Sequence, residues 1–215
     1  MSRLGVGGAR RYGGATGEER IAERRNRFLD AGLQLMGTRG IAATTVRGVS
    51  DAAGLAPRYL AESFPTIEDL HIAVFERIAD EIETACLAAI AQAPDNPRAR
   101  TWAALAALTD LMLGDPRKGR VMLTESASSP ALGPHRRAGA QRFAAILADL
   151  ARGGPGDREL LEDRLAAHFI IGGVSEALAA VLAGEIDIDR SHLIDRLTAL
   201  LFGVTVGSRS PQRLG

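Results

Sequence analysis

Side chains able to do covalent or metal chemistry are few in this sequence and badly placed to cooperate. His71, His135, His168 and His192 fall on different segments, whereas a nucleophile needs a base within hydrogen-bond reach. No serine lies in a Gly-x-Ser-x-Gly turn. The single thiol, Cys86, sits in an apolar helical stretch and reads as buried and inert; without a second cysteine there is no disulfide and no paired-thiol motif. No His-x-x-x-His pair offers a metal two ligands from one helix face. An enzyme is not expected, and neither a metal nor a cofactor is implied. The remaining chemistry is that of guanidinium and hydroxyl groups, which bind anions through charge and hydrogen bonds. Thr44, Thr45, Arg47, Arg58 and Tyr59 gather such groups in one short stretch.

That stretch is set among helices. Glu18 to Arg39 places Ile21, Phe28, Leu29, Gly32, Leu35 and Met36 on one broad face, and Gly40 supplies a stop. Thr44 is a good N-cap for a short helix from Thr45 to Ala53, ended by Gly54. A second short helix follows from Ala56 to Ser63, before Phe64-Pro65. Two short helices joined by a glycine turn cross steeply, so that one can enter a DNA major groove while the other braces it. Val46, Val49, Ala53, Leu55 and Leu60 are expected to pack the pair against the first helix, leaving the five polar residues outward.

From Thr66 onward the chain is read as a helical body. Thr66 with Glu68 and Asp69 opens a long helix through Leu70, Val74, Ile78 and Ile82, stopping near Pro94. Asn96-Pro97 opens another that halts at Gly114, and Asp115-Pro116 repeats the start signal. Further helices are expected over about 134–152, 157–182 and 189–206, separated by Gly153-Gly154-Pro155 and Gly184. The fold class is all-α. Residues 1–17 form a disordered, glycine-rich basic arm, 18–65 a helix-turn-helix domain, 66–207 a regulatory and dimerisation domain and 208–215 a disordered tail. No apolar run is long enough to span a membrane, and a cytoplasmic protein follows.

Charge agrees with a two-ended molecule. The 215 residues carry 26 Lys+Arg and 26 Asp+Glu, and a neutral chain at first argues against a phosphate-rich partner. Yet residues 1–63 hold ten arginines against six acids, and the remainder holds 16 basic against 20 acidic side chains. One end is modestly basic and the other repels polyanions.

The wording of the N-terminal segment is more specific than its pattern. Phe28-Leu29-Asp30-Ala31-Gly32-Leu33-Gln34-Leu35-Met36, then Arg39-Gly40, Ala43-Thr44-Thr45-Val46-Arg47, Ala53-Gly54-Leu55, Phe64-Pro65 and Glu68-Asp69-Leu70 closely resembles the N-terminal domain of TetR-family transcriptional regulators. The resemblance implies a homodimeric DNA-binding protein, usually a repressor. It also implies that the C-terminal domain binds a small molecule and pairs with its twin, releasing a pseudo-palindromic double-stranded operator on binding. The DNA-facing positions it points to are Thr44, Thr45, Arg47, Ala56, Pro57, Arg58, Tyr59 and Thr66. Arg47 and the threonines would hold phosphates, whereas Arg58 would reach guanine O6 and N7 or else lie solvated on the surface. The chain departs from the family pattern at Ala56, where a serine-like cap is usual, at Ala61, where a tyrosine is usual, and at Ile67, where a lysine is usual. The alternative is a ligand-binding or protein-interaction module of the same fold without operator binding.

Two further sets belong to the body. Leu165, Phe169, Gly172, Gly173 and Glu176 mark one helix face and Leu197 and Leu201 another; they pair two subunits, or else fill the monomer core. Trp102, Leu105, Met112, Met122, Phe143 and His168 are the candidates for lining a cavity for a largely apolar effector. The same spacing is also what a filled core would give. The long helix from Thr66 connects both domains and is the expected lever.

Overall fold

In the computed structural model, which describes residues 17–152 and 161–207, every regular element is helical and no strand occurs among the described residues. The N-terminal unit is α1 (Gly17–Arg39), a short 3₁₀ turn (Ile41–Ala43), α2 (Val46–Ala53) and α3 (Pro57–Ser63). Then come α4 (Ile67–Gln92), α5 (Pro97–Gly114) and α6 (Pro116–Gly119). A π-helical turn (Arg120–Glu125) and α7 (Ser126–Ser128) follow, and α8 (Gly133–Arg152), α9 (Leu161–Leu182) and α10 (Arg190–Gly207) complete the chain. Gly17, assigned to the basic arm, instead opens α1; the rest of the arm, the tail, the Gly153-Gly154-Pro155 breaker and the start expected near Asp157 lie outside the described residues.

Local chemistry explains where these helices begin. Thr66 and Asp69 form a reciprocal capping box: the Thr66 amide donates to Asp69 Oδ2 at 2.9 Å and the Asp69 amide to Thr66 Oγ1 at 3.1 Å. Asn96 caps α5 by accepting from the Ala99 amide at 2.8 Å, with Pro97 at the first helical position. The caps thereby satisfy backbone donors that helix ends leave open.

Phe28, Met36, Leu70, Val74 and Ile78 are fully buried where α1 crosses α4, and the core continues through Leu105, Met112, Leu178 and Ile194. Burying each of these large side chains contributes roughly 1.5–3 kcal/mol. Helix α5 folds back along α4, α10 packs on α5, and α8 on α9. Ile21, by contrast, is 55% exposed, because α1 begins ahead of the elements that cover its later turns. Cys86 is buried as expected, and burial pushes its thiol up to about 11.

Helix α1 also meets α6 at unusually close range. A Cβ on Gly37 would lie 2.5 Å from Arg117 Cβ and 2.7 Å from its Cα, so only glycine fits. Beside this contact Arg117 donates to Gln34 Oε1 at 2.7 Å and is held by Asp115 at 2.8 Å. Gly37→Ala should therefore destabilise the fold by about 1–3 kcal/mol, read as a lower urea midpoint. An unchanged midpoint would show that the seam yields without cost.

Candidate nucleic-acid interface and effector cavity

Helix α2 starts one residue later than the sequence suggests. Thr44 ends the 3₁₀ turn: its amide donates to Ile41 O at 3.0 Å, its hydroxyl to Gly40 O at 2.9 Å, and the residue is 4% exposed. Its hydroxyl faces inward and is already used. The cap is Thr45, exposed, whose Oγ1 accepts from the Gly48 amide at 3.1 Å. Gly54 closes α2 at φ 63°, ψ 37°, a left-handed conformation that favours glycine. Val49, Ala53 and Leu60 pack inward, whereas Val46, expected in the core, is 45% exposed on the outer face.

Around this turn the cationic and aromatic groups converge. Arg47 projects from the first turn of α2 with its side chain 92% exposed, only loosely paired to Asp51 at 3.8 Å. Arg58 leaves α3 and donates to the Tyr59 hydroxyl at 3.1 Å, its guanidinium 4.8 Å from the ring centroid; the Arg24 guanidinium lies at the same distance. Ala56 caps α3 without a side-chain hydrogen bond, and Pro57 is the first helical residue. Thr66 is exposed, but its hydroxyl serves the capping box. Thr45, Arg47, Ala56, Pro57, Arg58 and Tyr59 thus stand around one helix-turn-helix.

Two α1 arginines bind the helix-turn-helix from within. Arg27 donates to Ala53 O at 2.5 Å and Arg25 to Ser63 O at 2.8 Å, while Arg25 also covers the Phe64 ring at 4.2 Å. Each satisfies a carbonyl at the C-terminal end of α2 or α3, where cations are favoured. These roles were invisible in sequence because the partners are tens of residues away.

The body contains a cavity of about 400 Å³ between α4, α5, the π turn, α8 and α9. Phe75, Ile82, Met112, Met122, Phe143 and Val174 contribute apolar wall, and Glu83, Arg136, Arg142, Ser175 and Glu176 are the polar groups. Arg142 pairs with Glu83 at 3.4 Å. Of the expected lining, Met112, Met122 and Phe143 are present. Leu105 is fully buried in the core outside the wall. Trp102 is turned to the α5–α10 surface, where its indole N–H donates to Asp195 Oδ1 at 2.8 Å, and His168 is exposed on α9.

The expected pairing faces also separate. Leu165 and Phe169 are 71% and 69% exposed, with Gly172, Gly173 and Glu176 exposed on the same helix. Leu197 and Leu201 turn inward beside Leu193 and Ile194 and serve the monomer core; Leu200, 66% exposed, is the outward member of α10.

The described residues thus combine an N-terminal helix-turn-helix with a helical body that encloses a cavity. Residues 28–74 match the family model for bacterial regulatory proteins of the tetR family. That match covers the last part of α1, the helix-turn-helix and the start of α4, so the tetR-family likeness is established for this N-terminal segment. The fold of the chain is shared with the fatty acid degradation regulator FadR from Bacillus halodurans (20% identity, 87% of this chain and 97% of that chain covered, TM-score 0.71). FadR from Bacillus subtilis in complex with stearoyl-CoA is also similar (19% identity, 82% and 96% covered, TM-score 0.69), as is the multidrug binding protein EbrR complexed with imidazole (21% identity, 83% and 89%, TM-score 0.62). No curated protein matches the sequence. Among the described residues no helix is long and apolar enough to cross a membrane.

His71 on α4 is 5% exposed beneath this head, with no partner for Nε2. Burial lowers its pKa below 6.5, against weaker opposing effects of Glu68 and a Thr44 backbone hydrogen bond. As pH falls below 6.5 the unfolded chain binds the proton first, so His71 removes stability between 6.5 and its lower folded value. Urea midpoints should drop on acidification through this window, and His71→Gln should flatten that slope. An equal slope in both proteins would assign the acid sensitivity to other groups.

Proposed function

We propose that this chain is a cytoplasmic, operator-binding repressor that works as a homodimer and leaves its DNA when a small, largely apolar molecule occupies the body cavity. The observation that carries the reading is the helix-turn-helix itself, with Arg47 and Arg58 presented to solvent, Tyr59 half-buried beside Arg58, and α1 packed on its inner face. Arg47 and the Thr45 region contact phosphate and fix the register. Arg58 exchanges its Tyr59 contact for a guanine edge. Because the N-terminal 63 residues are only modestly basic, nonspecific attraction is weak and two-fold pairing supplies much of the affinity.

Pairing falls to the exposed apolar residues Leu165 and Phe169 of α9 with Leu200 of α10, side chains that a second copy would cover. The cavity suits an apolar body with few polar groups, its volume being within the range of small-molecule sites. The solved regulators with stearoyl-CoA and imidazole lend the ligand reading support by fold. A ligand shifts the DNA-bound state only through higher affinity for the other state, and a differential of about 2.7 kcal/mol changes binding roughly a hundredfold.

Arg58→Ala should weaken binding to a selected duplex by about 1–3 kcal/mol without changing the mass in solution; unchanged affinity would remove Arg58 from the reading set. Phe169→Glu should yield a monomer by light scattering and abolish tight duplex binding. A Phe169→Glu protein that remains dimeric would place the interface elsewhere. A wild-type chain that binds no duplex in a salt-dependent manner would leave only the ligand-binding module.

A further inference from the structure

The cavity and the reading head share one short segment. Met122 and Leu123 of the π turn, with Ala127 of α7, form one wall of the cavity. Glu125, in the same turn, reaches away from it: Oε2 accepts a hydrogen bond from the Ile41 amide at 2.9 Å, 84 residues distant in sequence. Ile41 opens the 3₁₀ turn that delivers the chain into α2. The carboxylate is 14% exposed, and its other oxygen accepts from Arg120 Nε at 3.2 Å. Gly40 makes room for it. At φ 86° and ψ 161° this residue is in a region that glycine alone takes readily, and a Cβ there would lie 3.0 Å from Glu125 Oε2.

The segment is also the irregular one. A π turn is a rare, single-turn departure that clusters at functional sites. Losing its extra residue to regular α geometry would turn the side chains beyond it by about 100° around the axis. Met122 and Leu123 would carry pressure from the cavity, and Glu125 would leave the Ile41 amide. The Ile41 amide is part-buried, so losing its charged acceptor carries a cost that separates the two arrangements.

We propose that Glu125 is a latch: it holds the Ile41 amide and fixes the chain leading into the helix-turn-helix, and filling the cavity releases it. This rests on reading the cavity as the effector site. Gly139 lines the cavity and a Cβ there meets nothing within 4 Å, so a side chain added at this point fills the space without a ligand.

The test is hydrogen exchange at the Ile41 amide, resolved by NMR, in folded variants verified by circular dichroism. Gly139→Trp should speed that exchange about tenfold or more, whereas Gly139→Ala leaves it at the wild-type rate. In Glu125→Ala the amide is already fast and Gly139→Trp adds nothing. Glu125→Gln keeps an acceptor, so it should stay near wild type and still respond to filling. If the indole prevents folding, Gly139→Leu is read the same way. Undiminished Ile41 protection in the filled protein overturns the latch, and so does an equal acceleration with and without Glu125. Should Ile41 respond to filling while no member of an apolar ligand library binds, the latch stands and the effector reading fails. A library member that binds in the cavity yet leaves Ile41 protected overturns the latch alone.

Discussion

The seam between α1 and the 116–128 segment is the constraint around which the molecule is organised. Gly37 lets the end of α1 come against the Arg117 backbone, and a few residues on, Glu125 receives the Ile41 amide. Both contacts are short and both depend on a glycine, at 37 for proximity and at 40 for backbone conformation. Everything exposed on the head inherits its placement from them. The 3₁₀ turn sets where α2 starts, α2 with Gly54 sets the angle of α3, and α3 presents Arg58 and Tyr59.

The same seam explains how one chain can combine a rigid reader with an adaptable body. The head is tied to itself by Arg25 and Arg27, which bind the carbonyl ends of α3 and α2. The body keeps open space where small residues such as Gly139, Ala140 and Gly172 line the cavity together with Met122 and Phe143. The segment between them thus joins tight packing on one side to open space on the other.

Much of this was legible in the sequence, for physical reasons that apply helix by helix. Asn96-Pro97, Asp115-Pro116 and the Thr66–Asp69 pair are local signals, and the helices begin where they stand. The glycines at 40 and 54 mark backbone that other residues resist, and both have positive φ. The departures have a common origin in tertiary placement. Thr44 looked like a cap because a good cap residue preceded an apolar run, but the 3₁₀ turn consumed it and passed the role to Thr45. Trp102, Leu105 and His168 have the right chemistry for a cavity wall, yet their turns of helix face the α10 surface, the core and solvent. Leu197 and Leu201 shared an apolar stripe whose partner proved to be their own subunit. Glu125 carried no sequence signal at all, since an acidic residue in a helical run is ordinarily read as solvated surface.

The central claim, that two of these heads read one duplex, is tested most directly by selecting bound DNA from a randomised library with the purified full chain. The account predicts an enriched pseudo-palindrome whose half-sites lie one helical turn, about 34–36 Å, or a multiple of it apart. Recovery of sequences with no common half-site would contradict it, as would a single unpaired half-site.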